Sequence, residues 1–217
     1  METTQQTLRY EIKYAVDILD EASIIASLLM HPASFRKAFP DRRVNNIYLD
    51  SPSFHCFHQN IEGQPRRKKM RLRWYGDHDM PTSKSTLEIK NKDAELGWKD
   101  SFPVDGSKVT DRQSLMAAIN VSGYYRGNLV PTLHNTYHRA YYESQNGLFR
   151  ITLDTNQTFK VPFTQMKSLP MTRYPIIVEL KFDREHSDKA KEITDYLAFR
   201  QTKNSKYTVG VQDIYMN

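Results

Sequence analysis

The chain has 217 residues, 39% of them hydrophobic and 26% charged, which excludes a disordered chain and suits a globular protein with a real core. Its single cysteine, Cys56, excludes an intramolecular disulfide and points to a reducing compartment. The 31 Lys plus Arg against 25 Asp plus Glu give a formal charge of +6, which favours polyanionic partners: nucleic acid, anionic lipid or phosphorylated small molecules.

The opening Met1-Glu2-Thr3-Thr4-Gln5-Gln6 lacks the charged and apolar regions of a signal peptide. Strand-like alternation runs from Leu8 to Tyr14. Asp20 is placed to cap a helix whose apolar face holds Ile24, Ile25, Leu28 and Leu29, ended by Pro32. The longest apolar stretch, Ile24 to Met30, is far short of the roughly 20 residues a bilayer needs, so a cytoplasmic location is expected, any membrane role requiring a membrane-protein partner. Arg43 to Asp50 reads as a strand, Ser51-Pro52-Ser53 as a turn and Phe54 to Ile61 as a short helix. The basic run Arg66-Arg67-Lys68-Lys69 reads as a solvated loop leading into a strand from Met70 to Tyr75.

Strands follow at Ser85 to Asn91 and Gly97 to Val104, then a helix from Asp111 to Ile119. Thr132 to Ser144 and Leu148 to Thr155 form a long hairpin across Gln145-Asn146-Gly147, because Asn-Gly is the strongest short hairpin signal. Tyr174 to Asp183 is a last strand, Ser187 to Arg200 an amphipathic helix, and Lys203-Asn204-Ser205-Lys206-Tyr207 belongs to a polar tail. The 13 Tyr and 10 Phe favour strands, and one strand-rich domain over residues 1–217 is expected.

In a strand, residues two apart share a face. Arg9, Glu11 and Lys13 oppose Tyr10, Ile12 and Tyr14; Arg71 and Arg73 oppose Leu72 and Trp74; Glu88 and Lys90 oppose Leu87 and Ile89. Arg150, Thr152 and Asp154 oppose Ile151 and Leu153, Glu179 and Lys181 oppose Val178, Leu180 and Phe182, and Tyr137 and Arg139 form another such pair. One strand of this kind is an ordinary half-wet sheet. Repetition of Arg, Lys and Glu at paired positions in five strands points instead to a closed antiparallel barrel of about eight strands with its charged faces inward. The apolar faces then point outward, under helices near residues 20–30, 111–119 and 187–200. A wet lumen so rich in cations would hold a polyanion, arginine forking onto phosphate oxygens. Interleaved carboxylates could hold Mn²⁺ or Mg²⁺, Glu179 first, with Glu11, Glu88 and Asp154 as candidates to complete the shell.

Several motifs occur together in one order: Arg9-Tyr10-Glu11-Ile12-Lys13-Tyr14, Tyr48-Leu49-Asp50, Arg71-Leu72-Arg73-Trp74-Tyr75-Gly76, Leu87-Glu88-Ile89-Lys90 and Tyr137-His138-Arg139. Arg150-Ile151-Thr152-Leu153-Asp154, Val178-Glu179-Leu180-Lys181 and Ser205-Lys206-Tyr207 complete the series. From about Leu8 to Val211 the chain resembles the vacuolar transporter chaperone (VTC) domain of the triphosphate tunnel superfamily, in the manner of its stand-alone bacterial members. The resemblance implies an α+β fold, a triphosphate-tunnel barrel with flanking helices, and synthesis of inorganic polyphosphate from ATP with a divalent cation. It implies that Lys13, Arg71, Arg73, Lys90, Arg139 and Arg150 grip phosphates, with Tyr137 and Lys181 beside them, and that Glu179 holds the metal. Lys99 would be a further tunnel lysine, and Lys203, Ser205 and Lys206 would close one end.

Two other readings stand beside synthesis: a tunnel triphosphatase or polyphosphatase using the same residues, and a polyphosphate-binding module without turnover. Nucleic-acid binding through the basic run predicts stacking aromatics on an open face, whereas these cations alternate along strands. His55, Cys56 and His58 lack the second ligand cluster that a zinc site needs and read as a partly buried short helix. Trp74 is expected to pack under a helix.

Overall fold

The computed structural model describes residues 9–94, 96–121, 128–164 and 174–216; Leu8, the opening residues 1–6 and the Arg9 side chain lie outside the described residues. Among the described residues there are eight strands: β1 (Arg9–Val16), β2 (Arg36–Asp50), β3 (Arg66–Tyr75), β4 (Ser85–Asp93), β5 (Leu96–Val104), β6 (Val130–Glu143), β7 (Phe149–Lys160) and β8 (Ile176–Asp183). Their order, β1-β5-β4-β3-β2-β6-β7-β8, is that of a closed barrel. The helices are α1 (Glu21–Leu29), α2 (His55–Ile61), α3 (Arg112–Val121), α4 (Ala190–Thr194) and α5 (Lys206–Tyr215).

The chain divides into two compact units, one of residues 1–42, 138–157 and 172–204, the other of residues 43–137, 158–171 and 205–217. In the first, β1 and β7 both pair antiparallel with β8, with Lys13 opposite Glu179, Glu11 opposite Lys181, and Thr152 opposite Glu179. The apolar faces of these strands, Tyr14, Val16, Ile151, Leu153, Val178, Leu180 and Phe182, form one core with Ile24 and Leu28 of α1 and Ile193 of α4. In the second unit, β2, β3, β4 and β5 pair antiparallel in succession, with Tyr48, Arg71, Glu88 and Ser101 across one row. Ile47, Leu49, Met70, Leu72, Trp74, Leu87 and Val104 form its core with Leu115 and Ile119 of α3. In each unit, therefore, helices cover the apolar strand faces.

Local chemistry sets the element ends. The Asp20 carboxylate accepts the Ser23 amide at 2.7 Å and caps α1. Asp111 accepts the Ser114 amide at 2.8 Å ahead of α3. In the β6–β7 turn Gly147 takes φ +72°, a left-handed conformation that costs glycine no Cβ clash.

Three expectations are corrected. The Ser187–Arg200 segment holds only the five-residue α4, preceded by a 3₁₀ turn at Arg184–His186. Its single turn buries Ala190 and Ile193, enough to seal the core without a longer helix. The polar tail is the start of α5: the Ser205 hydroxyl accepts the Thr208 amide, and Tyr207 and Val211 are buried on the helix. The basic run is not a loop, because Arg66 to Lys69 pair with Asp93 to Lys90 as the first part of β3. Trp74 is buried as expected, its Nε1 donating to the His78 carbonyl at 2.7 Å.

Candidate functional site: two buried ion clusters

If the charged strand faces were an ordinary wet surface, their side chains would be exposed. Most are buried or half-buried instead, with Lys99 and Arg150 exposed. Each unit carries one cluster, built on strand positions two apart and closed by backbone pairing.

In the second unit Glu88 is the common acceptor. Its side chain is 4% exposed, and its Oε2 takes Arg71 Nη2 at 2.7 Å and Arg71 Nε at 2.8 Å, with Arg73 Nη1 at 3.6 Å. Its Oε1 takes Lys99 Nζ at 2.6 Å. Burial alone would raise the Glu88 pKa, but the charges of Arg71, Arg73 and Lys99 overcome it and hold the carboxyl well below the usual carboxylate range. The arginines are oriented from their other side. Arg71 donates to the Tyr48 hydroxyl at 3.2 Å, and Arg73 donates to Asn46 Oδ1 at 2.9 Å and to the Tyr137 hydroxyl at 3.0 Å. The Lys206 ammonium sits 4.9 Å from the Tyr137 ring centre, a cation–π contact from the first turn of α5. Lys90 stands between Lys69 and Lys99 in one cross-strand row.

In the first unit Glu179 takes the corresponding place. Lys13 Nζ lies 3.2 Å from its Oε1, and Oε2 has Lys181 Nζ at 2.8 Å, Arg139 Nη2 at 3.3 Å and the Thr152 hydroxyl at 3.4 Å. Arg139 forks onto Asp154, Nε to Oδ1 at 2.5 Å and Nη2 to Oδ2 at 2.7 Å. Asp154 is fully buried, so both its oxygens serve to orient Arg139. Burial would lower the Lys13 pKa, yet Glu11 and Glu179 raise it above the ordinary lysine value.

The remaining expected residues separate. Arg150 is the most exposed of the expected phosphate-binding arginines, 58% accessible and paired with Glu143 at 3.1 Å. Ser205 joins the second unit's network by accepting Lys69 Nζ at 2.7 Å. Lys203 is exposed and joins neither cluster among the described residues.

Sequence reasoning missed the roles of Lys69 and Asn46, and marked Tyr48 and Asp50 as part of a motif without assigning them one. Lys69 lies two residues before Arg71 and so shares its face, a parity that assignment of the run to a loop concealed. Asp50 is fully buried and accepts the amides of Ser51, Cys56 and Phe57 at 2.7 to 3.0 Å, a distant cap for α2, together with the Tyr207 hydroxyl at 2.6 Å. Cys56 shares that pocket of structure, and burial pushes its thiol up to about 12, which leaves it a poor nucleophile.

Among the described residues no three His, Cys, Asp or Glu side chains converge as a ready-made metal cage. One oxygen set does suit a hard cation. Glu11 Oε1 at 2.8 Å, Glu179 Oε1 at 3.2 Å and the Asn204 carbonyl at 3.2 Å surround Lys13 Nζ, an ammonium standing where a cation could stand. One or two carboxylates, with the rest of the shell from phosphates and water, is the usual way Mg²⁺ is held.

Solved structures share this architecture. A "putative adenylate cyclase" from Vibrio parahaemolyticus aligns with a TM-score of 0.55 at 13% identity, over 94% of this chain and 99% of its own. A protein from Pyrococcus horikoshii OT3 gives 0.55 at 11% identity, over 94% and 99%. A "putative adenylyl cyclase" from Hippeastrum, described as having a dominant triphosphatase activity, gives 0.54 at 14% identity, over 96% of each chain. At such identities the likeness shows a shared fold. Comparison with curated proteins finds no match. The chain matches the VTC domain over residues 8–215 and belongs to that family. Among the described residues no helix is long and apolar enough to cross a membrane.

Proposed function

We propose that this protein is a polyphosphate polymerase, transferring the γ-phosphoryl group of ATP to a growing inorganic polyphosphate chain. One observation carries the reading in a VTC-family chain: guanidinium and ammonium groups, held in place by the buried carboxylates of Glu88 and Glu179, recur at alternate strand positions. Arg71, Arg73, Lys90 and Lys99 grip phosphate oxygens in one unit, with Tyr137, Ser205 and Lys206 fixing the geometry around them. Lys13, Arg139, Lys181 and the exposed Arg150 do so in the other, and Lys203 attracts the polyanion from the surface.

Phosphoryl transfer asks for alignment and charge stabilisation more than covalent work. The acceptor is itself a phosphate, ionised near neutral pH, so no strong general base is needed. Glu179 with Glu11 would hold Mn²⁺ or Mg²⁺, with Asp154 and Glu88 orienting the arginines beside them. A cation held there would supply charge neutralisation at bound phosphates, and Lys13 is placed to donate to a phosphate oxygen beside it.

Hydrolysis is the second reading, since water aligned by the same residues would cut rather than extend, and triphosphatase activity is described for the Hippeastrum fold neighbour. Pure protein incubated with ATP and Mn²⁺, its products followed by phosphorus NMR, separates the readings. Middle-chain phosphate signals that grow as ATP falls are expected. Orthophosphate as the sole product would establish hydrolysis, and unchanged ATP with tight polyphosphate binding would reduce the protein to a binding module. Glu179→Gln is expected to abolish the metal-dependent turnover with the fold intact; full activity in that variant would remove Glu179 from the metal site.

A further inference from the structure

His134 lies three residues before Tyr137 on β6 and so points to the opposite strand face. It lines a pocket of about 210 Å³ within the second unit. The residue is 3% exposed and its Nε2 is buried with no hydrogen-bond partner, a costly state for a ring nitrogen. Burial, with a contribution from the Lys160 charge, pushes its pKa down to about 3, so the ring is neutral near pH 7 and can offer Nε2–H as a donor.

Lys160 lines the same pocket and forms no ion pair among the described residues. Asp79, also on the lining, is already bonded to Arg43 at 2.7 Å. Arg43 and Lys160 outnumber Asp79 by one positive charge around a pocket that also holds a buried ring nitrogen with no partner. Ile47, Met80 and Phe163 supply apolar wall. A cavity of about 210 Å³ lies below the roughly 300–1,000 Å³ of sites for drug-sized ligands, which suits a smaller molecule.

We propose that this pocket binds a small organic monoanion, a short-chain or single-ring carboxylate. Its carboxylate lies between His134 Nε2 and the Lys160 ammonium, and its apolar body packs on Ile47, Met80 and Phe163. Inorganic phosphate suits the lining less well, because it offers nothing to the apolar wall and carries more charge than one lysine offsets.

The test uses the full chain with ¹⁵N-labelled histidine, titrated with benzoate, benzyl alcohol and orthophosphate in turn and read from the ring nitrogen signals. The His134 signal, assigned by its disappearance in His134→Gln, should move saturably with benzoate at a Kd of about 1 mM or tighter, as expected for a fragment-sized ligand. Benzyl alcohol should bind at least about tenfold more weakly, a factor one charge-assisted hydrogen bond supplies. Lys160→Met should weaken benzoate by a similar factor. If that variant fails to fold, the benzyl alcohol comparison on the unaltered chain decides. No movement of His134 with benzoate overturns the proposal, as does equal binding of the alcohol, which would mean an apolar crevice indifferent to charge. A response to orthophosphate alone overturns it too. Because the readout involves no turnover, it is independent of whether the protein makes or cuts polyphosphate.

Discussion

Tyr207 of α5 stacks on Tyr48 of β2, ring centres 5.0 Å apart and planes 30° from parallel. The contact joins two polar chains. Beyond Tyr48 lies Arg71 and its Glu88 partner; beyond Tyr207 lies the buried carboxylate of Asp50, which also terminates α2. The C-terminal helix is thus fixed to the same residues that orient an arginine of the ion cluster. Tyr207→Phe keeps the ring and deletes one hydrogen bond to a buried charge, a loss of about 1.5–3 kcal/mol. For a chain of this size that corresponds to a Tm lower by roughly 4–10 °C in a thermal melt. An unchanged Tm would mean that the Tyr207–Asp50 hydrogen bond adds nothing to the anchoring of α5.

Glu88 makes stability depend on acidity in a defined direction. Its folded-state pKa lies below the ordinary 4.5, so its contribution is complete above about pH 5 and is lost as pH falls through the folded value. Glu88→Gln should be less stable than the parent at pH 7, since Arg71, Arg73 and Lys99 lose their acceptor. The gap should narrow between pH 5 and pH 3 by up to about 1.4 kcal/mol per pH unit, the slope of one proton. Urea unfolding at each pH measures it. A gap independent of pH would show that Glu88 does not remain ionised in the folded state.

Arg139 tests geometry apart from charge. Arg139→Lys keeps the cation but cannot fork onto both Asp154 oxygens while reaching Glu179. Asp154 is fully buried, so an acceptor left without its donor costs about 1–3 kcal/mol. Chemical denaturation should show that loss, and a variant as stable as the parent would mean that charge alone suffices.

Gly210 lies on α5 where an added Cβ would stand 2.5 Å from Phe159 and 2.6 Å from Leu133. Overpacking of that kind costs about 1–3 kcal/mol, whereas alanine gains only about 1 kcal/mol of helix propensity over glycine. Gly210→Ala should therefore melt below the parent protein. A rise in Tm would show that the Phe159 ring can yield.

The alternation of charged and apolar residues made the strands legible, because a period of two survives translation into three dimensions without knowledge of neighbours. Glu11–Lys13, Arg71–Arg73, Glu88–Lys90 and Glu179–Lys181 were visible for that reason, and the helix at Ile24 was legible from its Asp20 cap and the apolar face that follows it. Helix α5 was hidden by its composition: Thr208, Val209, Gly210 and Val211 are weak helix formers, and the segment is helical through its Ser205 cap and its burial on Phe159 and Leu133. Lys69 was concealed by a run of four cations that resembles surface chain. Asp50 and Tyr207 are 157 positions apart, and no local pattern announces a partnership at that range. His134 is similarly silent, since a missing partner leaves no mark in sequence.

The arrangement around Glu179 has a consequence for what can enter. Its two oxygens are shared by Lys13, Lys181, Arg139 and Thr152 while it is only 7% accessible. An incoming anion that recruits those cations strips a buried carboxylate of its counter-charges, and the stranded negative charge opposes the newcomer. Electroneutrality makes uptake a double exchange, in which an anion arrives together with a cation to replace the ammonium and guanidinium groups it takes away. Sodium salts of a polyanion should then bind less tightly than its magnesium salts, by a margin that disappears in Glu179→Gln.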